Sequence, residues 1–384
     1  MTGVGIHDLS VATASRVLDL DLLAAYTGVD PDKFRFGLGQ ERMSVPAPDE
    51  DIVTMAAAAA LPIIERHGRD DIRAVLFATE SGIDQSKSAA VFVHELLGLP
   101  RSCRVVEFKH ACYGGTAALQ AALGLIAREP GARVLVIASD VARYALDSAA
   151  EATQGAAAVA MLVSEDPALV EVESAAGVWT ADIDDFWRPN DSDTALVDGR
   201  LSVDTYLAAA LGSWDDYRAR GGVDVGEIDF FCHHQPYTRM AVKALRALAV
   251  HTGTEIDEAR VLPSTAYNRQ IGNSYTASLF VSLAAVLDGD TDLAGRRIGL
   301  YSYGSGSTGE FLTVVVRPGY RDHSRAAATR AALAERTPID IATYRQLHAG
   351  ATRPSAVDVE IPESTPGPFR FRGIAGRARR YART

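Results

Sequence analysis

Cysteine is scarce: the chain has only three in 384 residues, Cys103, Cys112 and Cys232, and no C-x-x-C pair. This excludes a disulfide framework and suits a reducing cytoplasm. Positive charge is also in short supply, with 38 Lys and Arg against 49 Asp and Glu and a net charge of -11. Without a basic face, nucleic acid is not an expected partner. The most apolar stretches, "MAAAAALPII" and "SLFVSLAAVL", fall well short of the ~20 residues that span a bilayer, so no membrane partner is expected either. The first residues, "MTGVGIHDLSVATASRVLDL", have no cationic start followed by an apolar core, which argues against a secretory leader.

What remains is a chain with 47% apolar residues and 32 glycines, long enough for one large or two closely packed domains. Strand-like runs alternate with alanine-rich helical segments, the pattern of an α/β protein with covered sheets. The predicted strands are 74–78, 104–108, 133–139 and 158–164 in the first half and 229–233, 297–303 and 311–317 in the second. The two sets repeat one another. "TAALQAALGLI" from Thr116 resembles "TASLFVSLAAVL" from Thr276, "RVLVIAS" from Arg133 resembles "RIGLYSY" from Arg297, and "GAAAVAMLV" from Gly155 resembles "GEFLTVVV" from Gly309. Elements recurring in order at a nearly fixed offset imply a duplicated unit. Glu80 and His234 then follow equivalent strands, and Cys112 and Asn273 both stand where a helix opens, where ligands of α/β sheets collect.

Several motifs carry chemistry. Cys112 lies in "KHACYGGTAALQ", between the strand-like "RVVEF" and a helix, where the helix N-terminus favours a thiolate; on these residues alone a small buried core cysteine is an equal reading. Glu80 ends an apolar strand in "LFATESGID", a costly place for a carboxylate unless its proton is used. "FFCHHQPYTRM" sets Cys232, His233 and His234 in a row; successive strand residues face opposite ways, which favours one working imidazole over a metal site. "GSGSTG" at 304–309 satisfies G-x-G-x-x-G literally but precedes a β-branched run, not the helix a dinucleotide needs, and reads as a hairpin turn. Residues 182–202 read as a long functional loop around Phe186 and Trp187, and the arginine-bearing end, "RGIAGRARRYART", reads as a solvated tail.

Together "ATES", "ACYGGTAA", "EATQGAAAVAM", "DFWRPN", "HQPYTRM", "YNRQIGNSYTAS" and "SYGSGSTGEF" resemble, in order and spacing, the 3-hydroxy-3-methylglutaryl-CoA synthases of bacterial and actinobacterial type. The resemblance covers nearly the whole chain. It implies a thiolase-like duplicated αβαβα layered fold, a cytoplasmic homodimer, an N-terminal half at 1–170, a C-terminal half at 171–320 and a helical extension and tail at 321–384. By motif, Cys112 is the nucleophile, Glu80 the acid/base and His234 the partner of the second substrate's carbonyl. Asn273, Ser307, Tyr144, Tyr344 and Phe186 fall at substrate-pocket positions. Arg239 and Lys243 fall near the CoA moiety, with Arg239 replacing a more usual lysine.

Such an enzyme needs no metal or redox cofactor, and its substrates are acetyl-CoA and acetoacetyl-CoA. The same catalytic trio serves polyketide β-branching, in which the acceptor rides on an acyl carrier protein; isolated cations such as Lys33, Arg35, Arg239 and Lys243 do not separate the two. A CoA-primed ketosynthase would share Cys112, His234 and Asn273 but has no use for Glu80. A non-catalytic acyl-binding member would be expected to lack Cys112. His110, two residues before the cysteine, departs from the amide or carboxylate usual there.

Overall fold

The computed structural model describes residues 3–192, 194–351 and 356–384. Nine strands form the large sheet: β1 (Val4–Thr13), β2 (Ile72–Ala78), β3 (Arg104–Phe108), β4 (Arg133–Ala142), β5 (Gly155–Glu165), β6 (Val170–Thr180), β7 (Phe230–His233), β8 (Arg297–Gly304) and β9 (Thr308–Val316). Their order is β7-β8-β9-β6-β1-β5-β4-β2-β3. Only two residue pairs, Gly5 with Glu171 and Ile6 with Val170, join β1 to β6, so the sheet is two half-sheets meeting at a narrow seam. Every predicted strand is present, and "GSGSTG" is the turn between antiparallel β8 and β9. Strands β1 and β6 are additional; both carry interspersed polar residues that break up the apolar signal.

The major helices are α1 (Ile52–His67), α2 (Ala89–Leu96), α3 (Gly114–Arg128), α4 (Gly199–Ala219), α5 (Arg239–Thr252), α6 (Ser278–Leu287), α7 (Ala326–Ala334) and α8 (Ile341–Ala349). Three apolar clusters show the layering. Ile63 of α1 and Val93 of α2 pack with Val75 of β2 on one outer face. Leu119 of α3 and Leu283 of α6 are buried together between the half-sheets. Tyr217 of α4 and Leu245 of α5 cover the other face with Phe231 of β7. The result is the expected αβαβα stack. Its central helix α6, apolar but for Ser278 and Ser282, is buried along its whole length, as a helix sandwiched between two sheets must be.

The repeat is more regular in space than in sequence. Helices α3 and α6 begin at Gly114 and Ser278, an offset of 164 that equals the offset of β4 and β8; the helix alignment at 160 was four residues out. β2 lies parallel to β4 and β7 lies parallel to β8, while β4–β5 and β8–β9 are antiparallel pairs. The β3 counterpart is missing from the second half among the described residues. Short 3-10 turns at Glu258–Arg260 and Leu262–Thr265 stand in its place.

Two segments differ from expectation. The tail forms a β-hairpin, β10 (Phe369–Ala375) and β11 (Ala378–Arg383), anchored by Phe369 in the outer core and by Tyr381, whose hydroxyl donates to Asp51 at 2.6 Å. Alternating aromatic residues gave it a buried face that its arginines concealed. Residues 182–202 hold a two-residue ladder, Phe186–Trp187 with Leu196–Val197, and the first turn of α4. No helix of the described residues is long and apolar enough to cross a membrane.

The central helices meet through Gly115, where an added Cβ would lie 2.6 Å from the Thr276 carbonyl oxygen and 2.9 Å from the Phe280 ring. Neither neighbour is free to move. Gly115→Ala is expected to lower stability by about 1–3 kcal/mol and to shift α3, read as a lower thermal midpoint together with slower reaction of Cys112 with a thiol reagent.

Candidate active site

The candidate polar groups stand at strand ends. β2 ends at Ala78, and the next turn carries Thr79, Glu80 and Ser81; β7 ends at His233, and His234 follows. Between β3 and α3 the chain turns sharply through Ala111, at a φ of 42°, to present Cys112. In the second half Tyr275, at φ 45°, makes the equivalent turn 164 residues later. Non-glycine residues held in the left-handed region cost about 1–3 kcal/mol and are retained where structure over-determines them.

The Cys112 Sγ donates a hydrogen bond to Glu80 Oε1 at 2.8 Å. Cys112 is only 9% exposed, and Glu80 is partly buried. Burial, followed by the repulsion of Asp140, pushes the Glu80 carboxyl up to about 8. Cys112 is raised well above the ordinary thiol range by burial and then by Glu80. This corrects the expectation of a thiolate: α3 begins only at Gly114, and a neighbouring carboxylate in a dry site outweighs the helix end. Both groups therefore favour their protonated forms at neutral pH, and the sulfur loses its proton to the ionised fraction of Glu80 or to a substrate.

Asp140, at the end of β4, organises this turn. Its Oδ1 accepts from the backbone N–H groups of Glu80 and Ser81, each at 2.9 Å, and from the Thr79 hydroxyl at 2.8 Å. Its Oδ2 accepts from the Thr276 N–H at 3.1 Å. One fully buried carboxylate thus ties the Glu80 turn to the start of the second half's central helix. Sequence reasoning missed Asp140, although "VIASD" carries the same signal as Glu80, an acid closing an apolar strand. It also missed Arg188, whose Nη2 donates to the Glu80 carbonyl at 3.1 Å.

Tyr144, Phe186 and Tyr275 form an aromatic wall beside Cys112, with centroid separations of 6.0–6.2 Å. Asn273 donates through Nδ2 to the Tyr144 hydroxyl at 3.3 Å, and its Oδ1 accepts from the Tyr275 N–H at 2.9 Å. Tyr344 connects from behind. Gln154 accepts from the Tyr144 N–H at 2.8 Å and donates to the Tyr344 hydroxyl at 2.6 Å. A cavity of about 710 Å³ reaches Glu80, Phe186, Tyr275 and Tyr344; Cys112, His234 and Asn273 are not in its wall.

His234 is 3% exposed, and burial lowers its pKa to about 3, so its ring is neutral. The Tyr206 ring centroid lies 6.4 Å from its own, and the Tyr206 hydroxyl donates to the His234 carbonyl at 2.7 Å. His233 points the other way, with Nδ1 3.1 Å from the Ala241 carbonyl. Ser307 is buried at the β8–β9 turn, its N–H bonded to the Ala181 carbonyl at 2.7 Å. Arg239 and Lys243 are exposed one turn apart on α5, outside the cavity wall, and Lys243 Nζ donates to the Tyr237 hydroxyl at 2.8 Å. The structure therefore joins Cys112 directly to Glu80 and groups Tyr144, Phe186, Asn273 and Tyr344 around them; the two cations lie apart.

Residues 1–168 match the family description "Hydroxymethylglutaryl-coenzyme A synthase N terminal", and residues 243–337 match its "C terminal" counterpart. The chain is 42% identical to the hydroxymethylglutaryl-CoA synthase of Enterococcus faecalis, over 90% of this chain and 91% of that protein. It is 33% identical to a polyketide biosynthesis 3-hydroxy-3-methylglutaryl-ACP synthase of Bacillus subtilis, over 91% and 89%. Its fold superposes on a crystal structure of an HMG-CoA synthase complexed with CoA with a TM-score of 0.94, at 34% identity and full coverage of both chains. With its thiolase-like stack and its buried thiol–carboxyl pair, the chain belongs to the hydroxymethylglutaryl-coenzyme A synthase family.

Proposed function

We propose that the protein condenses acetyl-CoA with acetoacetyl-CoA and releases 3-hydroxy-3-methylglutaryl-CoA. The observation that carries this reading is the 2.8 Å contact between Cys112 and Glu80 in a buried site. The Cys112 sulfur attacks the acetyl carbonyl as ionised Glu80 takes its proton; Glu80 passes that proton to the departing sulfur, so CoA leaves as the thiol and the acetyl-cysteine thioester faces a Glu80 carboxylate. Glu80 then removes a proton from the acetyl methyl, and the carbanion adds to the C3 carbonyl of acetoacetyl-CoA. Neutral His234 donates a hydrogen bond to the oxygen as it becomes an alkoxide and is then protonated. Water cleaves the cysteinyl thioester, which restores the thiol and frees the product. Asn273, Tyr144, Phe186, Tyr344 and Ser307 shape the acyl pocket in this reading, and Arg239 with Lys243 offers charge to a CoA phosphate.

A soluble, cytoplasmic homodimer fits the composition. Strand β3 is one of the two edges of the sheet and bears the 40% exposed Val106; pairing with its copy across a two-fold axis would cover an edge otherwise prone to unwanted association.

The deciding experiment offers acetyl-loaded enzyme either acetoacetyl-CoA or an acetoacetyl-acyl carrier protein. The CoA acceptor is expected to give the larger kcat/KM, by about tenfold or more. A preference for the carrier would assign the chain to β-branching, the activity named for the Bacillus relative.

A further inference from the structure

At the opposite end of β1, β2 and β4 from Glu80, three histidines from distant parts of the chain meet. His7 is in β1, His67 is the last residue of α1, and His323 ends the 3-10 turn before α7. One ring nitrogen of each lies within 4.8 Å of the other two. The His7 ring stands edge-on to His67 and His323, at centroid distances of 5.1 and 5.4 Å, while His67 and His323 are parallel at 6.4 Å.

Two observations point to a ligand. The Nδ1 atoms of His7 and His323 are buried with no hydrogen-bond partner among the described residues. A buried nitrogen without a partner is costly, and two on rings of one cluster call for an occupant. Second, β1 is irregular at this point: Ile6 pairs with Val163 and Asp8 with the adjacent Leu162, leaving His7 as an extra residue. Bulges re-aim a side chain, and this one turns an imidazole toward two others.

We propose that His7, His67 and His323 form a three-imidazole site for a divalent transition metal of the zinc class. Asp8, fully buried, supplies the outer support: its Oδ2 accepts from His67 Nε2 at 2.9 Å, which leaves the Nδ1 lone pair of that ring for coordination. A carboxylate behind a ligating imidazole fixes its tautomer and raises its basicity. Tetrahedral zinc with Zn–N near 2.0–2.1 Å needs nitrogens about 3.4 Å apart, so small ring rotations close the set and leave a fourth position to water. Arg325 and Arg66 are occupied by Asp8, the first through two bonds at 2.9 and 2.6 Å, and Arg133 donates to the His67 carbonyl. These cations weaken a divalent ion without filling the site. The role is structural: the metal clamps the start of α7 to the base of the N-terminal half-sheet, far along the strands from Cys112.

The test uses the full chain stripped with a chelator and titrated with Co2+ and Zn2+ alone. One equivalent of cobalt should produce the visible ligand-field absorption of a four-coordinate nitrogen and oxygen site. Zinc should raise the thermal midpoint by about 2 °C or more. Among the nine histidines, three sets of imidazole NMR signals should shift. His7→Ala and His323→Ala should each weaken binding about tenfold or more, while Cys112→Ala should leave it unchanged. Absent cobalt absorption, binding unaltered in both histidine variants, or stabilisation by inorganic phosphate but by neither metal would each overturn the proposal. Should the variants fail to fold, the wild-type NMR titration decides: shifts in none of these three rings refute it.

Discussion

Cys112→Ala will fold as the wild type does and gain no mass on incubation with acetyl-CoA, and its condensation rate will fall by at least about 10⁴-fold, as expected when a covalent nucleophile is deleted. Folding should survive because, among the described residues, the side chain that the thiol bonds is the Glu80 carboxyl, which burial already keeps largely protonated at neutral pH. Removing the sulfur leaves a small void and no stranded charge. The measurement is intact-protein mass after incubation, paired with a thermal midpoint. Normal acetyl loading in the alanine variant would move the nucleophile elsewhere, and neither Cys103 nor Cys232 has a comparable base: Cys103 bonds weakly to a backbone carbonyl at 3.6 Å, and Cys232 is raised by burial alone.

How much of this was legible beforehand depends on where the information lies in the chain. Strands β2, β4, β5, β8 and β9 declare themselves because both faces are covered, which makes them continuous apolar runs. β1 was hidden because His7, Asp8 and Ser10 interrupt it, and the first two are committed to the histidine cluster and its support. Glu80 and Cys112 stood out for opposite reasons, a charge where apolar residues belong and a reactive residue beside a helix start. Their contact could not be read from positions 32 residues apart. Nor could the protonation of the pair, because the helix-end argument gave the direction of one effect, whereas burial, then Glu80 beside the thiol and Asp140 beside Glu80, decide the balance. The tail was misjudged by its arginines, although Phe369, Phe371 and Tyr381 alternate as a half-buried hairpin requires.

Glu80→Gln carries the second large effect and distinguishes the two proton transfers. Amide nitrogen and oxygen fill the same space and keep a contact to Cys112, but neither accepts a proton at working pH. Carbon–carbon bond formation is therefore expected to drop by about 10²–10⁴-fold, the usual worth of a positioned base. Acetyl loading should continue at a reduced rate, since the leaving CoA thiolate can take the sulfur's proton. The pH dependence fixes the assignment. With Glu80 near 8, only about a tenth is ionised at pH 7, so the condensation rate of the wild type should climb through pH 8 and then level off. The variant should lose that limb, and His234, neutral above pH 4, adds none of its own. Stability runs the other way. A carboxyl raised from 4.5 to about 8 holds its proton in the folded state where the unfolded chain has released it, so this residue's contribution falls as pH rises from 4.5 to 8. The glutamine variant should accordingly match or exceed the wild-type thermal midpoint above pH 8 and lose that advantage near pH 4.5. An ascending rate limb that persists in Glu80→Gln would show that another group is the base, even if overall activity were low.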